Sequence, residues 1–332
     1  MRKAHRLTMG LSAPGCVAVI LNESGGEMDV RQLEMFRAVV EEGSFTKAAL
    51  RLHVSQSAVS RQLQLLEAEL GGPLLHRSVK GVTLTAEGQL LLRTANRIHR
   101  DLREAVWEIS ETKKLKRGQL RIAGGSTVCL YVLPTLLKRF RAQFRDVDLL
   151  VKTGSTQAVL QLLRNHQLDL ALLTLPVAGT DLEVKPALRE ELVVVTAPKH
   201  PLTQHRTIEA RMLSEHPLVL FEPGSNTRIL VDQFFADQHI PMNVAMETES
   251  VEIIKAMVAS GLGIGIVPYV AIAADMRSKR FAWARVRGQR LQREQAWVYL
   301  KSDYLPRPIL EVLNVFEEMK QGFGGTPPKA GG

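Results

Sequence analysis

Cysteine is scarce in this chain of 332 residues, which contains only Cys16 and Cys129. The two lie far apart and neither belongs to a CxxC or Cys/His array, which argues against a disulfide framework and a structural zinc site. Long apolar runs are missing too, since none approaches the roughly 20 residues of a membrane-spanning helix. With 45% hydrophobic and 23% charged residues, the composition is that of a globular protein, which we expect in the cytoplasm and without a membrane partner.

Catalytic motifs are also missing. The sequence contains no HExxH, GxSxG, GxxxxGKS/T or strand-linked GxGxxG pattern. The glycine-rich run from Gly261 to Gly265 leads from a predicted helix into a predicted strand, which is the wrong order for a phosphate-binding loop. We therefore expect no enzyme activity, no cofactor and no metal site.

Acidic residues are outnumbered by basic ones. The formal net charge is +9 and the pI is about 9.7, which indicates an anionic partner such as nucleic acid. Residues 28–117 carry +4, and residues 118–332, more than twice as many, also carry +4. The basic excess is therefore denser in the first of these two segments.

Residues 1–27 form an N-terminal extension. Their apolar stretch from Cys16 to Leu21 is short for the core of a secretory signal, and no clear cleavage site follows it. Met28 directly precedes the first amphipathic pattern. We expect residues 1–27 to be either a disordered extension or the result of a start codon assigned upstream of Met28.

Residues 28–85 have the pattern of a winged helix-turn-helix. Apolar residues at helical spacing predict a first helix from Val30 to Glu42, and a short second helix follows from Thr46 to Leu52. Ser55 caps a third helix, which ends at Gly71-Gly72-Pro73. Two short strands then flank a turn at Lys80, forming a wing.

The third helix has one apolar stripe and one polar face. Val59, Leu63, Leu66 and Leu70 form the stripe, which we expect to be buried. The opposite face is polar and hardly acidic; it is either merely solvated or able to enter a major groove, where Gln and Arg make bidentate hydrogen bonds to base edges. With the phosphate-contacting residues of the second helix and the wing, the candidate DNA-binding residues are Lys47, Ser55, Gln56, Ser57, Ser60, Arg61, Gln64, Arg77 and Lys80.

A long helix capped by Thr85 follows, and with a basic hinge it makes up residues 86–117. Its apolar positions alternate by four and three, which is the seam of a coiled coil: Leu91, Ala95, Ile98, Leu102, Ala105, Ile109 and Thr112. The seam either joins two chains or packs within its own chain. A homodimer would present two reading helices to a pseudo-palindromic operator of double-stranded DNA.

The run from Met28 to Gly88 closely resembles the LysR-type transcriptional regulators. The resemblance is carried by Leu33, Phe36, Gly43 to Phe45, Ala48-Ala49, Leu52, Val54 to Ser60, Leu63, Leu66-Glu67, Leu70-Gly71, Leu74-Leu75, Arg77 and Leu84 to Gly88. Ser57 departs from the family's frequent proline, and His76 stands where an aromatic residue usually packs. A transport binding protein would match only the C-terminal region and would need neither the winged helix-turn-helix nor the seam.

The resemblance extends more weakly over residues 118–321, the family's effector-binding region. It implies an α + α/β fold with a two-lobed domain like type 2 periplasmic binding proteins: lobe I at about 118–191 and 266–321, lobe II at about 192–265. It also implies a tetramer, a small-molecule co-inducer bound between the lobes and, as a further candidate partner, RNA polymerase. We expect residues 322–332 to be a disordered tail.

Strands and helices alternate through this region, which predicts a sheet rich in parallel strands. Several strand-to-helix turns present hydroxyls and backbone N–H groups at helix N-termini, a setting that suits anions. Each such Ser or Thr is alternatively a simple helix cap. If the turns meet in one cleft, the candidate effector-binding residues are Ser126, Thr127, Ser155, Thr174, Asn226, Thr227, Arg228 and Ser250.

Overall fold

The computed structural model describes residues 19–21, 27–78, 81–112, 118–204, 207–276, 278–302 and 305–323. The chain divides into two compact units, Met1–Val106 and Trp107–Gly332. The helices and strands of the first unit, the last of which continues into the second, are β1 Val19–Leu21, β2 Glu27–Asp29, α1 Val30–Glu42, α2 Phe45–Arg51, α3 Gln56–Glu69, β3 Leu75–Ser78, β4 Gly81–Leu84 and α4 Ala86–Thr112.

The short helices of this unit begin and end at local signals. The Asp29 carboxylate accepts from the Gln32 backbone N–H at 2.6 Å, and the Gln32 side chain accepts from the Asp29 N–H at 3.1 Å, which closes a capping box on α1. Gly43, with φ of 62°, ends α1 in the left-handed region. Ser44 and Ser55 cap α2 and α3 through their side chains.

The three helices and the wing enclose one apolar core. Phe36, Val39, Ala48 and Leu63 are buried in it, with Leu74 from the start of the wing. Strands β3 and β4 pair antiparallel and form that wing. This is the winged helix-turn-helix predicted from the sequence.

One expectation for this unit needs correction. Leu70, predicted to be buried, is 41% exposed because α3 ends before it and Leu70 serves as the C-cap. Within the N-terminal extension, β1 pairs antiparallel with β2, from Val19 opposite Asp29 to Leu21 opposite Glu27. The rest of the extension, residues 1–18 and 22–26, lies outside the described residues.

Helix α4 begins at the predicted cap. Thr85 Oγ1 accepts from the Gly88 N–H and donates to the Pro73 carbonyl, each at 2.9 Å. A Cβ at Gly88 would lie 2.1 Å from the Leu74 carbonyl oxygen, so only glycine allows this close approach of helix and wing.

The predicted seam of α4 divides into two parts. Ala95 is buried within the unit, and with Ile98 it lines a small gap against α1. Leu102 is 45% exposed and Ala105 is also exposed. The first part of the seam therefore packs within its own chain, and Leu102 and Ala105 stay open to a partner. The side chains of Ile109 and Thr112, and the hinge at 113–117, lie outside the described residues.

The second unit is built around one mixed sheet of ten strands in the order β11-β10-β12-β8-β14-β7-β5-β6, with β13 beside β8 and β9 beside β13. Its helices and strands are β5 Gly118–Gly124, α5 Ser126–Tyr131, α6 Leu133–Gln143, β6 Val147–Thr153, α7 Thr156–Arg164, β7 Leu170–Thr174, β8 Leu182–Thr196, β9 Thr207–Ile208, β10 Leu218–Phe221, α8 Asn226–Asp237, β11 Val244–Thr248, α9 Val251–Ala259, β12 Ile264–Pro268, β13 Ala282–Val286, β14 Gln292–Leu300 and α10 Arg307–Phe323.

Strand β8 runs through both lobes. Its first part pairs antiparallel with β14 in lobe I, and its second part pairs antiparallel with β12 and β13 in lobe II. Five strand pairs of the sheet are parallel, in line with the predicted richness in parallel strands. The four pairs that involve β8 or β14 are antiparallel, so the sheet as a whole is mixed. The first crossing lies near residue 192, where the family resemblance implied it.

The return to lobe I lies later in the chain than predicted. We expected it near residue 266, but β13 adds to the sheet of lobe II, and Phe281, Ala284 and Leu291 pack in the core of that lobe. The chain therefore returns at β14. Before β10 the chain forms the short strand β9 and then a 3₁₀ turn at Ala210–Glu215.

Each lobe packs apolar side chains on both faces of its sheet. Along β7, Leu170 and Leu172 join one core cluster while Ala171 and Leu173 join another, which is the alternation of a strand buried on both faces. Among the described residues, no helix is long and apolar enough to cross a membrane.

Candidate functional site

Helix α3 presents a polar face to solvent. Gln56, Ser57, Arg61 and Gln64 are exposed on it, and Ser60 is half-buried. Ser55 Oγ accepts from the Ala58 N–H at 3.2 Å, so this serine caps the helix whether or not it also contacts DNA. The exposed side chains include one arginine and two glutamines, and both of these residue types can make bidentate hydrogen bonds to base edges.

The wing and α2 place basic side chains around this helix. The Arg77 guanidinium lies over the Phe45 ring, 4.3 Å from its centroid, and Nη1 lies 3.5 Å from Ser60 Oγ. Arg77 is therefore held beside the polar face of α3. Lys47 is exposed on α2, and Lys80 lies outside the described residues. His76, on the wing, is exposed and does not take the place of a packed aromatic residue.

A cavity of about 530 Å³ lies between the two lobes of the C-terminal unit. It is formed where strands end and helices begin, as the sequence predicted. Seven of the eight candidate effector-binding residues line it: Ser126, Thr127, Ser155, Thr174, Asn226, Thr227 and Ser250. The fold thus brings together residues from turns that are far apart in the sequence.

Two helices, α7 and α8, begin at the lining of the cavity. Ser155 Oγ caps α7 by accepting from the Ala158 N–H at 3.3 Å, and Ser225 Oγ caps α8 by accepting from the Arg228 N–H at 3.1 Å. Further N–H groups of both first turns have no partner within their helix, and the helix dipoles favour negative charge there. Two carboxylates, Glu222 and Glu249, line the exposed part of the cavity.

The buried side of the cavity holds residues that sequence reasoning missed. Arg293 and Gln295 of β14 line it, and both donate to Glu190 Oε2 of β8, at 2.8 Å and 3.0 Å. Arg293 Nη1 also donates to Thr227 Oγ1 at 2.8 Å, and Thr174 Oγ1 lies 3.3 Å from Gln295 Oε1. Two crossing strands therefore place an ion pair behind the predicted hydroxyls.

This ion pair is deeply buried and not fully hydrogen-bonded. Glu190 and Arg293 are 1% and 3% exposed. Within the described part of the chain, Glu190 Oε1 and Arg293 Nη2 make no hydrogen bond, although Nη2 lies 2.7 Å from Glu190 Oε2 in the ion pair. No local pattern in the sequence marks these residues, because they meet only through the pairing of β8 with β14.

Arg228, the eighth candidate, does not line the cavity. Its guanidinium donates to Asp232, to Glu247 and to the Phe221 carbonyl, at 2.6, 2.7 and 2.8 Å. Burial lowers the pKa of Arg228, but the two carboxylates outweigh that effect and raise it above the ordinary value. Arg228 thus stabilises lobe II, and the spacing of Asp232 four residues later was the sequence signal for this role.

Metal-binding side chains do not gather in the described parts of either unit, where no group of three or more His, Cys, Asp or Glu residues could hold an ion.

A winged helix-turn-helix joined to a two-lobed domain with a cavity between its lobes defines a class of protein, the ligand-responsive transcriptional regulator. Family comparisons agree. The family model described as "Bacterial regulatory helix-turn-helix protein, lysR family" matches residues 30–89, and the model "LysR substrate binding domain" matches residues 113–321. The chain belongs to the LysR family of DNA-binding transcriptional regulators, whose members are not enzymes.

Curated relatives share most of the chain. It is 35% identical to the HTH-type transcriptional activator CmpR of Synechocystis sp. over 83% of this chain and 90% of the relative. It is 33% identical to the RuBisCO operon transcriptional regulator of Allochromatium vinosum over 84% of this chain and 92% of the relative.

Solved structures share the fold. A full-length OxyR variant from Pseudomonas aeruginosa is 25% identical, with a TM-score of 0.72 over 87% of this chain and 95% of that one. Full-length CbnR complexed with its target DNA is 25% identical, with a TM-score of 0.65 over 88% of this chain and 99% of that one. The regulatory domain of Synechocystis CcmR in complex with 2-PG is 23% identical, with a TM-score of 0.58 over 63% of this chain and 100% of that one.

Proposed function

We propose that this regulator responds to a small organic acid bound in the cavity between its lobes. The observation that carries the proposal is the convergence of seven hydroxyl- or amide-bearing residues, from turns far apart in the sequence, on one cavity. Its volume of about 530 Å³ is typical of sites for small molecules. The CcmR domain, described in complex with 2-PG, has the same fold and lends support to a small ligand.

The charges of the cavity suggest how the acid is oriented. Its anionic group would bind at the N-terminus of α7, near Ser155 and Thr156, where N–H groups are available. Its uncharged polar groups would face Gln295 and the carboxylates of Glu222 and Glu249, because a second anion there would be repelled.

The DNA target would be a pseudo-palindromic operator. Two chains joined along the exposed part of α4 would place two α3 helices in successive major grooves, with Gln56, Ser57, Ser60, Arg61 and Gln64 reading bases and Lys47, Ser55, Arg77 and Lys80 contacting phosphates. Effector binding would then close or reposition the lobes, and this change would alter the spacing or bend of the bound DNA. A tetramer made of two such dimers, a contact with RNA polymerase and a cytoplasmic location belong to the same proposal.

Arg61→Ala tests base reading by α3. Losing a bidentate contact to a base should weaken binding to the preferred operator by roughly 5- to 100-fold while leaving binding to random DNA nearly unchanged. Gel shift on both DNAs measures the ratio, and Arg31→Ala, at an exposed arginine of α1, is the matched control. Equal losses on both DNAs would reduce Arg61 to a phosphate contact.

Ser126→Trp tests the effector cavity. An indole at this position would fill the cavity, so the rise in Tm that a binding acid produces should disappear while operator binding is retained. Thermal shift with a panel of small carboxylic and phosphorylated acids is the measurement, and Ser278→Trp, on the exposed surface of lobe II, is the control. Stabilisation by neutral or cationic compounds alone, or an unchanged response in Ser126→Trp, would contradict the proposal.

A further inference from the structure

Tyr131 reaches from lobe I into lobe II. It is the last residue of α5, yet its ring packs against the core cluster of lobe II that contains Ile254 and Phe281. Its hydroxyl donates to Glu252 Oε1 of α9 and accepts from Lys255 Nζ of α9 at 3.0 Å. We call Tyr131, Glu252 and Lys255 the interlobe clasp.

Lobe II holds Lys255 in place without help from Tyr131. This lysine is 5% exposed, and its ammonium lies 2.7 Å from Asp275 and 3.0 Å from Glu252. The ammonium also lies 6.0 Å from the centroid of the Phe281 ring. Because both carboxylates belong to lobe II, Tyr131 can lose its hydroxyl without leaving a buried charge unpaired.

Protonation keeps the clasp intact at neutral pH. Burial and the Glu252 carboxylate raise the pKa of Tyr131 to about 12, so the hydroxyl remains a donor. Burial lowers the pKa of Lys255, but Asp275, Tyr131 and Glu252 outweigh that effect and raise it above its usual value. The clasp therefore joins a neutral donor of one lobe to a charged pair of the other.

The clasp lies on the same two segments that bound one side of the cavity. Ser126, at the start of α5, lines the cavity, and its Oγ donates at 3.0 Å to the carbonyl of Glu249, just before α9. Tyr131 and Glu252 connect these segments again, farther along α5. Two contacts between the same segments fix both their spacing and their relative angle.

We propose that Tyr131 is a positioning residue for the effector cavity: through the interlobe clasp it fixes the spacing of α5 and α9, and with it the width of the cavity between them. The proposal rests on the proposed function only in calling this cavity the effector site. Tyr131 itself does not line the cavity.

Hydrogen exchange measured by mass spectrometry on the full-length protein tests the clasp without a ligand. In Tyr131→Phe, amides of residues 126–131 and 250–259 should exchange about tenfold faster than in the wild type, since a charge-assisted hydrogen bond between the lobes is lost. The Tm should change little because Lys255 keeps both carboxylates. Glu252→Gln, which retains a neutral acceptor, should give a smaller acceleration in the same two segments.

Tyr299→Phe is the matched control. Tyr299 lies in lobe I, with Lys185 Nζ 5.7 Å from the centroid of its ring, so loss of its hydroxyl should leave exchange in both segments at the wild-type rate. Unchanged exchange in Tyr131→Phe would overturn the proposal. So would faster exchange throughout lobe II with a lowered Tm, because the hydroxyl would then stabilise lobe II as a whole and not the spacing of α5 and α9. Operator binding by the same preparations tests the proposed function separately, so failure of one does not imply failure of the other.

Discussion

Two neighbouring ion pairs show how burial determines the contribution of a charged side chain to the stability of the fold. In the register of β8 with β14, Glu190 faces Arg293 and the adjacent Arg189 faces Glu294. The first pair is 1% and 3% exposed in its side chains, whereas the second is 76% and 46% exposed. Breaking a buried pair leaves an uncompensated charge in a medium of low polarity, whereas an exposed pair is screened by water.

Glu190→Gln should therefore lower the free energy of unfolding of the C-terminal unit by about 3–5 kcal/mol, because Arg293 would remain buried without its counter-ion. Glu294→Gln, one residue from Arg293 in the sequence, should cost no more than about 1 kcal/mol. Urea denaturation of both variants measures the difference. Similar losses in the two would show that Glu190 is not the counter-ion on which Arg293 depends.

Some residues of the cavity can be predicted from local sequence patterns, and others cannot. Ser155 follows a strand and caps α7 with its own side chain, which is a local pattern that can be read from the sequence. Arg293 and Glu190 could not be predicted, because they lie 103 residues apart and meet only through strand register. Arg228 has the right position at a helix start, but whether an arginine faces a ligand or a carboxylate depends on tertiary contacts, here with Glu247.

At the scale of secondary-structure elements, the exposed part of α4 predicts where two chains form a dimer. Ala95 of its seam is buried within the chain, whereas Leu102, seven residues later, is 45% exposed. Leu102→Glu would place a charge in an apolar interface between two chains, so the protein should sediment as a smaller species than the wild type. Leu90→Glu is the control, since Leu90 is 58% exposed but lies off the seam.

Sedimentation velocity at several protein concentrations measures the size of the assembly that each variant forms. We expect dissociation for Leu102→Glu and wild-type behaviour for Leu90→Glu. If both variants keep the wild-type assembly, the dimer does not form through this part of α4.

Elements with local signals were easier to predict than elements without them. Helix α1 begins and ends at the predicted residues, because Asp29 and Gly43 are strong cap signals. Strand β13 was missed, since a five-residue strand becomes evident only beside its partner β8, more than 80 residues earlier. Missing it placed the return to lobe I too early.

At the scale of the whole molecule, the domain plan could be inferred from the sequence. The motifs from Met28 to Gly88 predicted a reading domain, and the apolar seam that follows predicted a linker helix. The two lobes were implied by the resemblance to the LysR-type regulators, and both family models match. The identity of the effector depends on the shape of the cavity and on the buried pair behind it. Neither is encoded in a short motif.

Selection of bound fragments from total genomic DNA tests the central claim, sequence-specific regulation, most directly. The purified full-length protein would be used, followed by gel shift on the best fragment at two salt concentrations. We predict one enriched pseudo-palindrome near a promoter, bound more tightly than random DNA at both concentrations. Weak binding with no preferred sequence that disappears as salt is raised would contradict the account, since the net positive charge alone would then explain the binding.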